Sequence, residues 1–130
     1  MKDTLRRVVV TGVGAITPVG NNANDTWSAL KMGKNGIAPI TFFNTDNLKA
    51  KLAAEVKDFD ASEYLDVNEA LRTDRFTKLA LGASYQAVAD SNIKDNVDPD
   101  RFSVIFGTGI GGISTFETEH TKLLEKGPRR

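Results

Sequence analysis

Val8-Val9-Val10-Thr11-Gly12-Val13-Gly14-Ala15-Ile16-Thr17-Pro18-Val19-Gly20 is the stretch on which the reading of this chain turns. Its opening is an unbroken β-branched run closed by Gly12 and Gly14, the pattern of a strand buried on both faces. Pro18 fixes its own φ and disfavours helical geometry at Thr17, so no helix can follow at once. The first helix is expected after Asn24, a good N-cap, running through Trp27 and Leu30 to Gly33.

Working outward, Leu52-Ala53-Ala54-Glu55-Val56 is a weaker strand candidate, and Ala61 to Arg72 reads as short helix and loop. A long helix follows. Asp74 can cap it, and Phe76, Leu79, Ala80, Ala83 and Ala87 recur on one helical face, small enough for close packing against a sheet or helix. Phe102-Ser103-Val104-Ile105-Phe106 repeats the buried-strand pattern and ends in Gly107-Thr108-Gly109-Ile110-Gly111-Gly112. Ser114-Thr115-Phe116-Glu117 then has the form of a capping box, opening a helix that Gly127-Pro128 stops. The order β, α, β, α, β, α predicts an α/β architecture with parallel strands.

Composition narrows the chemistry. The 130 residues fit one domain, with seventeen basic side chains balancing seventeen acidic ones. No global field therefore draws the chain to nucleic acid or to anionic lipid. There is no cysteine, so no disulfide, thiolate ligand or cysteine nucleophile can come from these residues. A single histidine, His120, excludes a multi-histidine metal site, and no metal or cofactor is expected. The apolar run after Arg7 is too short for a signal-peptide core or a spanning helix, which makes the cytoplasm the default location.

Three features invite functional readings beside plainer ones. Gly107-Thr108-Gly109-Ile110-Gly111-Gly112 fits the dinucleotide-binding pattern, whose backbone amides approach a pyrophosphate at a positive helix end. A second strand closed by an acidic residue should follow, and Gly127-Pro128-Arg129-Arg130 occupies that place. The plainer reading is a tight strand-to-helix turn with close backbone packing. His120 lies mid-helix on the stripe of Phe116 and Leu124, which suits a structural role. Arg129-Arg130, with Lys122 and Lys126 behind it, and the cluster Arg72, Arg75 and Lys78 read either as solvated surface or as docking patches for an acidic partner.

The run Val8 to Asn21 resembles the opening of the elongating β-ketoacyl-acyl carrier protein synthases of fatty-acid synthesis. Thr26-Trp27-Ser28-Ala29-Leu30, Gly33-Lys34-Asn35-Gly36-Ile37, Val56-Lys57-Asp58-Phe59-Asp60, Gly107 to Ile113 and Gly127-Pro128-Arg129-Arg130 carry the resemblance collinearly to the end of the chain. The resemblance implies a thiolase-like fold, with αβαβα layers and a mixed, mostly parallel sheet. Residues 1–130 would form the N-terminal segment of its first half, in a protein that is a homodimer at full length. The implied reaction loads an acyl group from acyl carrier protein onto a cysteine, then decarboxylates and condenses malonyl-acyl carrier protein onto it. Two histidines stabilise the oxyanion. The cysteine and both histidines are expected beyond Arg130, so the segment alone should be inert, and its uncovered apolar faces should keep it from being a stable monomer.

Three site assignments follow from the same resemblance. Ile110 matches the residue at the floor of the acyl pocket and favours the long-chain-accepting type. Arg129 and Arg130 match basic residues that meet the acidic carrier, and Arg72 matches a further docking position. Asn68 and Leu71 stand where relatives often carry more basic residues, so that half of the patch is depleted. Two other functions compete: a non-catalytic ketosynthase-like partner of the chain-length-factor type, and a small nucleotide-binding module.

Overall fold

The computed structural model describes residues 5–94 and 96–128. Its elements are α1 (Ala23–Lys31), β1 (Ala38–Pro39), β2 (Leu52–Ala53), α2 (Val67–Arg72), α3 (Arg75–Ser91) and α4 (Ile113–Lys126). Single 3-10 turns stand at Ala61–Glu63 and Pro99–Arg101.

The longest element, α3, is the spine of the molecule. Its small face packs against the extended chain at Gly12–Ile16 rather than against a regular sheet. A Cβ on Gly14 would collide with the Ala83 carbonyl oxygen, and one on Gly12 with that of Ala87. Only glycine lets the two backbones meet this closely. The facing amides find side-chain acceptors on the helix: Val13 N–H donates to the Asp90 carboxylate at 2.9 Å and Ala15 N–H to Gln86 Oε1 at 3.2 Å. On the next face of α3, Phe59, Tyr64 and Tyr85 stack in series, with centroid separations of 6.0 and 5.9 Å.

Several boundaries differ from the sequence reading, each for a local reason. α1 is capped by Asn22, not Asn24. Asn22 accepts from the Asp25 amide at 2.8 Å and donates its own amide to the Asp25 carboxylate at 2.7 Å, a reciprocal cap that Asn24 cannot make from inside the helix. β2 covers only part of Leu52–Val56 and pairs antiparallel with β1, through Ala38↔Ala53 and Pro39↔Leu52. That short ladder is the only sheet among the described residues.

Val8–Val10 and Phe102–Phe106, expected as strands buried on both faces, join no ladder. Val8, Val10 and Ile105 are 90%, 82% and 89% exposed. β-branched residues favour an extended backbone, but a strand also needs a neighbouring backbone to pair with. Correspondingly, Ala29 is the only buried apolar side chain among the described residues.

Candidate functional site

The Gly107–Gly112 loop lies over the first turns of α3. Thr108 Oγ1 accepts from the Gly111 amide at 3.0 Å, closing the turn, and Gly111 takes a φ of 73° that disfavours any side chain. Two hollows of about 280 Å3 flank the loop. One is mostly apolar, between Phe76, Ala80 and Leu81 of α3 and Phe106–Thr108; the other lies between Asp74–Phe76, Leu79 and Gly111–Ser114. Phe76 lines both. Ile110 stands on the loop between them, 76% exposed, and lines neither.

The loop leads into α4 without the expected capping box. Gly112 is the N-cap, and Ser114 and Thr115 already lie inside the first turn. The Thr115 hydroxyl donates across to the Asp74 carboxylate. Asp74 does occupy the N-cap position of α3, as expected, but makes no side-chain hydrogen bond to that helix. Thr115 takes the acceptor that would otherwise have capped it.

Among the basic residues, Arg72 ends α2 and is exposed, where a cation also favours the negative end of a helix. Arg75 is exposed too, but it is engaged. Its guanidinium donates to the Val56 carbonyl at 2.7 Å and lies 4.7 Å from the Phe42 ring centroid, tying the start of α3 to the hairpin side of the molecule. Lys122 is ion-paired to Glu119 at 2.6 Å on the α4 surface. Such a half-exposed pair contributes about 0.2–1 kcal/mol. Arg129 and Arg130 lie outside the described residues. The His120 ring stacks parallel on Phe116 at 5.9 Å, exposed on α4 and away from both hollows.

Sequence reading missed Glu55, the one buried charged side chain among the described residues. Its carboxylate accepts from the Thr41 hydroxyl at 2.7 Å and from the Thr41 and Phe42 amides at 3.0 and 3.2 Å. The Thr41 hydroxyl, these amides and the Lys57 charge outweigh burial and hold its pKa below the ordinary 4.5. A lone glutamate in a weak strand pattern carries no sign of this, because its partners lie more than ten residues away. A larger hollow of about 580 Å3 is lined by Thr17–Asn21, Asp25, Lys34, Lys57 and Asp58, most of them within the motifs that carry the resemblance but none given a site role.

Comparison with known proteins places this geometry. The fold matches solved ketosynthases. It superposes with a TM-score of 0.74 and 28% identity, over 94% of this chain and 31% of the other, on a type II polyketide ketosynthase solved with its acyl-carrier protein and a bound hexaketide (AntDE:AntF). With the ishigamide ketosynthase/chain length factor the TM-score is 0.73 and the identity 26%, over 94% of this chain and 30% of that one. The class is therefore the thiolase-like α/β fold of the ketosynthases.

Residues 5–130 match the model of the beta-ketoacyl synthase N-terminal domain, and the chain belongs to that family. It is 49% identical over 126 residues to 3-oxoacyl-[acyl-carrier-protein] synthase 2 of Synechocystis sp., a match covering 96% of this chain and 30% of the relative. The chain thus spans about 30% of the length of the curated relatives it matches. Family membership favours the structural reading of the glycine loop over a nucleotide-binding one.

Proposed function

We propose that this chain is the first segment of a 3-oxoacyl-[acyl carrier protein] synthase that elongates fatty acyl chains. The observation that carries the reading is the continuous 49% identity to such a synthase over 126 residues. The complete protein loads an acyl group from acyl carrier protein onto a cysteine, then condenses it with malonyl-acyl carrier protein. The described residues hold no thiolate, so they act as scaffold, pocket wall and docking surface while the nucleophile and oxyanion histidines come from elsewhere in the longer protein.

In this reading residues 1–130 open the first half of a thiolase-like domain. The exposed Val8–Val10 and Phe102–Phe106 segments become strands when the rest of the domain pairs with them. Ile110 closes the acyl pocket, and the hollows beside its loop supply the apolar wall that an alkyl chain needs. Arg72, Arg129 and Arg130 meet the acidic carrier, a partnership supported by the solved ketosynthase complex with its acyl-carrier protein. The protein works as a homodimer in the cytoplasm; among the described residues no helix is long and apolar enough to cross a membrane.

The solved ketosynthase/chain length factor of the same fold keeps a second reading open, in which the protein shapes the product without a nucleophile. Acyl loading separates the two. The full-length protein mixed with labelled acyl-acyl carrier protein, without malonyl substrate, should retain one label per active site as a thioester that hydroxylamine releases. No retained label would assign it to the non-catalytic class.

A further inference from the structure

Asp74 joins three parts of the site. Its backbone is the N-cap of α3, yet its carboxylate makes no hydrogen bond to that helix and instead accepts from Thr115 in the first turn of α4. The two residues are 41 apart in sequence, so the bond fixes tertiary rather than local structure. Gly112 rests against the same carboxylate: a Cβ there would collide with Oδ2 and stand 2.7 Å from Cγ. The start of α3 is itself anchored, through Arg75, to Val56 and Phe42. The loop's C-terminal end is thus fastened to a fixed platform, while Cβ atoms built on Gly107 and Gly109 would meet nothing within 4 Å.

We propose that Asp74 is a positioning residue for the Gly107–Gly112 loop, and that its bond to Thr115, with Gly112 packed beneath, sets where Ile110 stands and so which acyl lengths the site admits. The specificity half rests on the proposed reading of Ile110 as a pocket residue; the positioning half does not. A single lost hydrogen bond corresponds to about 2- to 12-fold in an equilibrium, enough to alter a length preference when the moving side chain closes the pocket. Because the hydroxyl and carboxylate act as one unit, removing either should cost nearly what removing both costs.

The test uses the full-length protein with Thr115→Val, which keeps the side-chain shape, Thr115→Ser, which keeps the hydroxyl, and Asp74→Ala, which removes the acceptor. Amide hydrogen exchange at Ile110 to Gly112 should quicken about 2- to 12-fold in Thr115→Val and return towards wild type in Thr115→Ser. The ratio of kcat/KM for long and short acyl carriers should shift in the same variants, and Asp74→Ala combined with Thr115→Val should add little. Unchanged exchange in folded Thr115→Val overturns the positioning role; should that variant not fold, the same reading is taken from Asp74→Ala. Quickened exchange with an unmoved length profile, while Ile110→Phe does depress long substrates, overturns the specificity half. A profile that neither Thr115→Val nor Ile110→Phe moves rejects Ile110 as a pocket residue and leaves exchange to decide the role of Asp74.

Discussion

Gly14→Ala would test the backbone contact that organises the described chain. The new Cβ would collide with the Ala83 carbonyl oxygen and lie 2.8 Å from the Ala87 nitrogen and 2.9 Å from the Ala83 carbonyl carbon. All three are main-chain atoms of α3, so no rotamer change can make room and the extended segment must move off the helix. Overpacking of this kind costs about 1–3 kcal/mol. The shift also stretches the neighbouring Val13–Asp90 and Ala15–Gln86 hydrogen bonds, each contributing about 0.5–1.5 kcal/mol and more where the acceptor is charged. The sum is roughly 2–6 kcal/mol, which lowers a urea midpoint by on the order of 1 M. Gly107→Ala is the matched control. Among the described residues nothing lies within 4 Å of its built Cβ and its φ is not positive, so the same methyl meets no main-chain clash here and should cost less than Gly14→Ala. The comparison is made in the full-length protein by urea unfolding followed with far-UV circular dichroism. Equal midpoints for the two variants would refute the close-approach argument.

Three further outcomes are expected. Glu55→Gln should flatten the acid limb of stability: the folded pKa is depressed, so the carboxylate's contribution is complete above about 4.5 and is lost as pH falls through the lower folded value. Parallel acid limbs for wild type and variant would show that Glu55 carries none of that dependence. Reversing the charges of Arg129 and Arg130 should slow association with an acidic carrier protein and flatten its salt dependence, while sparing transfer from a small carrier-free thioester; equal losses on both substrates would make the pair structural. Amide exchange at Val8–Val10 and Phe102–Phe106 should be slow in the full-length protein, because ladder hydrogen bonds protect strands, and rapid exchange there would contradict the proposed pairing.

The parts of this fold that were legible are those whose cause is local. The stripe of Phe76, Leu79, Ala80, Ala83 and Ala87 announced α3, and its alanines do receive a close-packed backbone, at Gly12–Gly14. The short helical stretch between Ala61 and Arg72 also formed where its residues suggested, with Asp60 and Asp66 capping its two pieces. What stayed hidden depends on partners distant in sequence. Three valines in a row prescribe an extended backbone but not the strand beside it. Ser114 to Glu117 reads as a capping box until Gly112 takes the cap and Asp74 is brought next to Thr115, and Glu55 is one residue of a weak strand pattern until Thr41 and Phe42 fold over its carboxylate. The basic cluster divided for the same reason: both arginines are exposed, but Arg75 finds Val56 and Phe42. The family was legible through motif order across the whole chain, and the glycine loop alone would have left a nucleotide site as a competitor.

Carrier-dependent condensation, measured side by side on the full-length protein and on residues Met1–Arg130 alone, tests the central claim most directly. With acyl- and malonyl-acyl carrier protein as substrates, the full-length protein should release carbon dioxide and yield a 3-oxoacyl-acyl carrier protein. The isolated segment, which has no cysteine to carry the acyl group, should yield none. Product from the segment, or none from the full-length protein, would contradict the account.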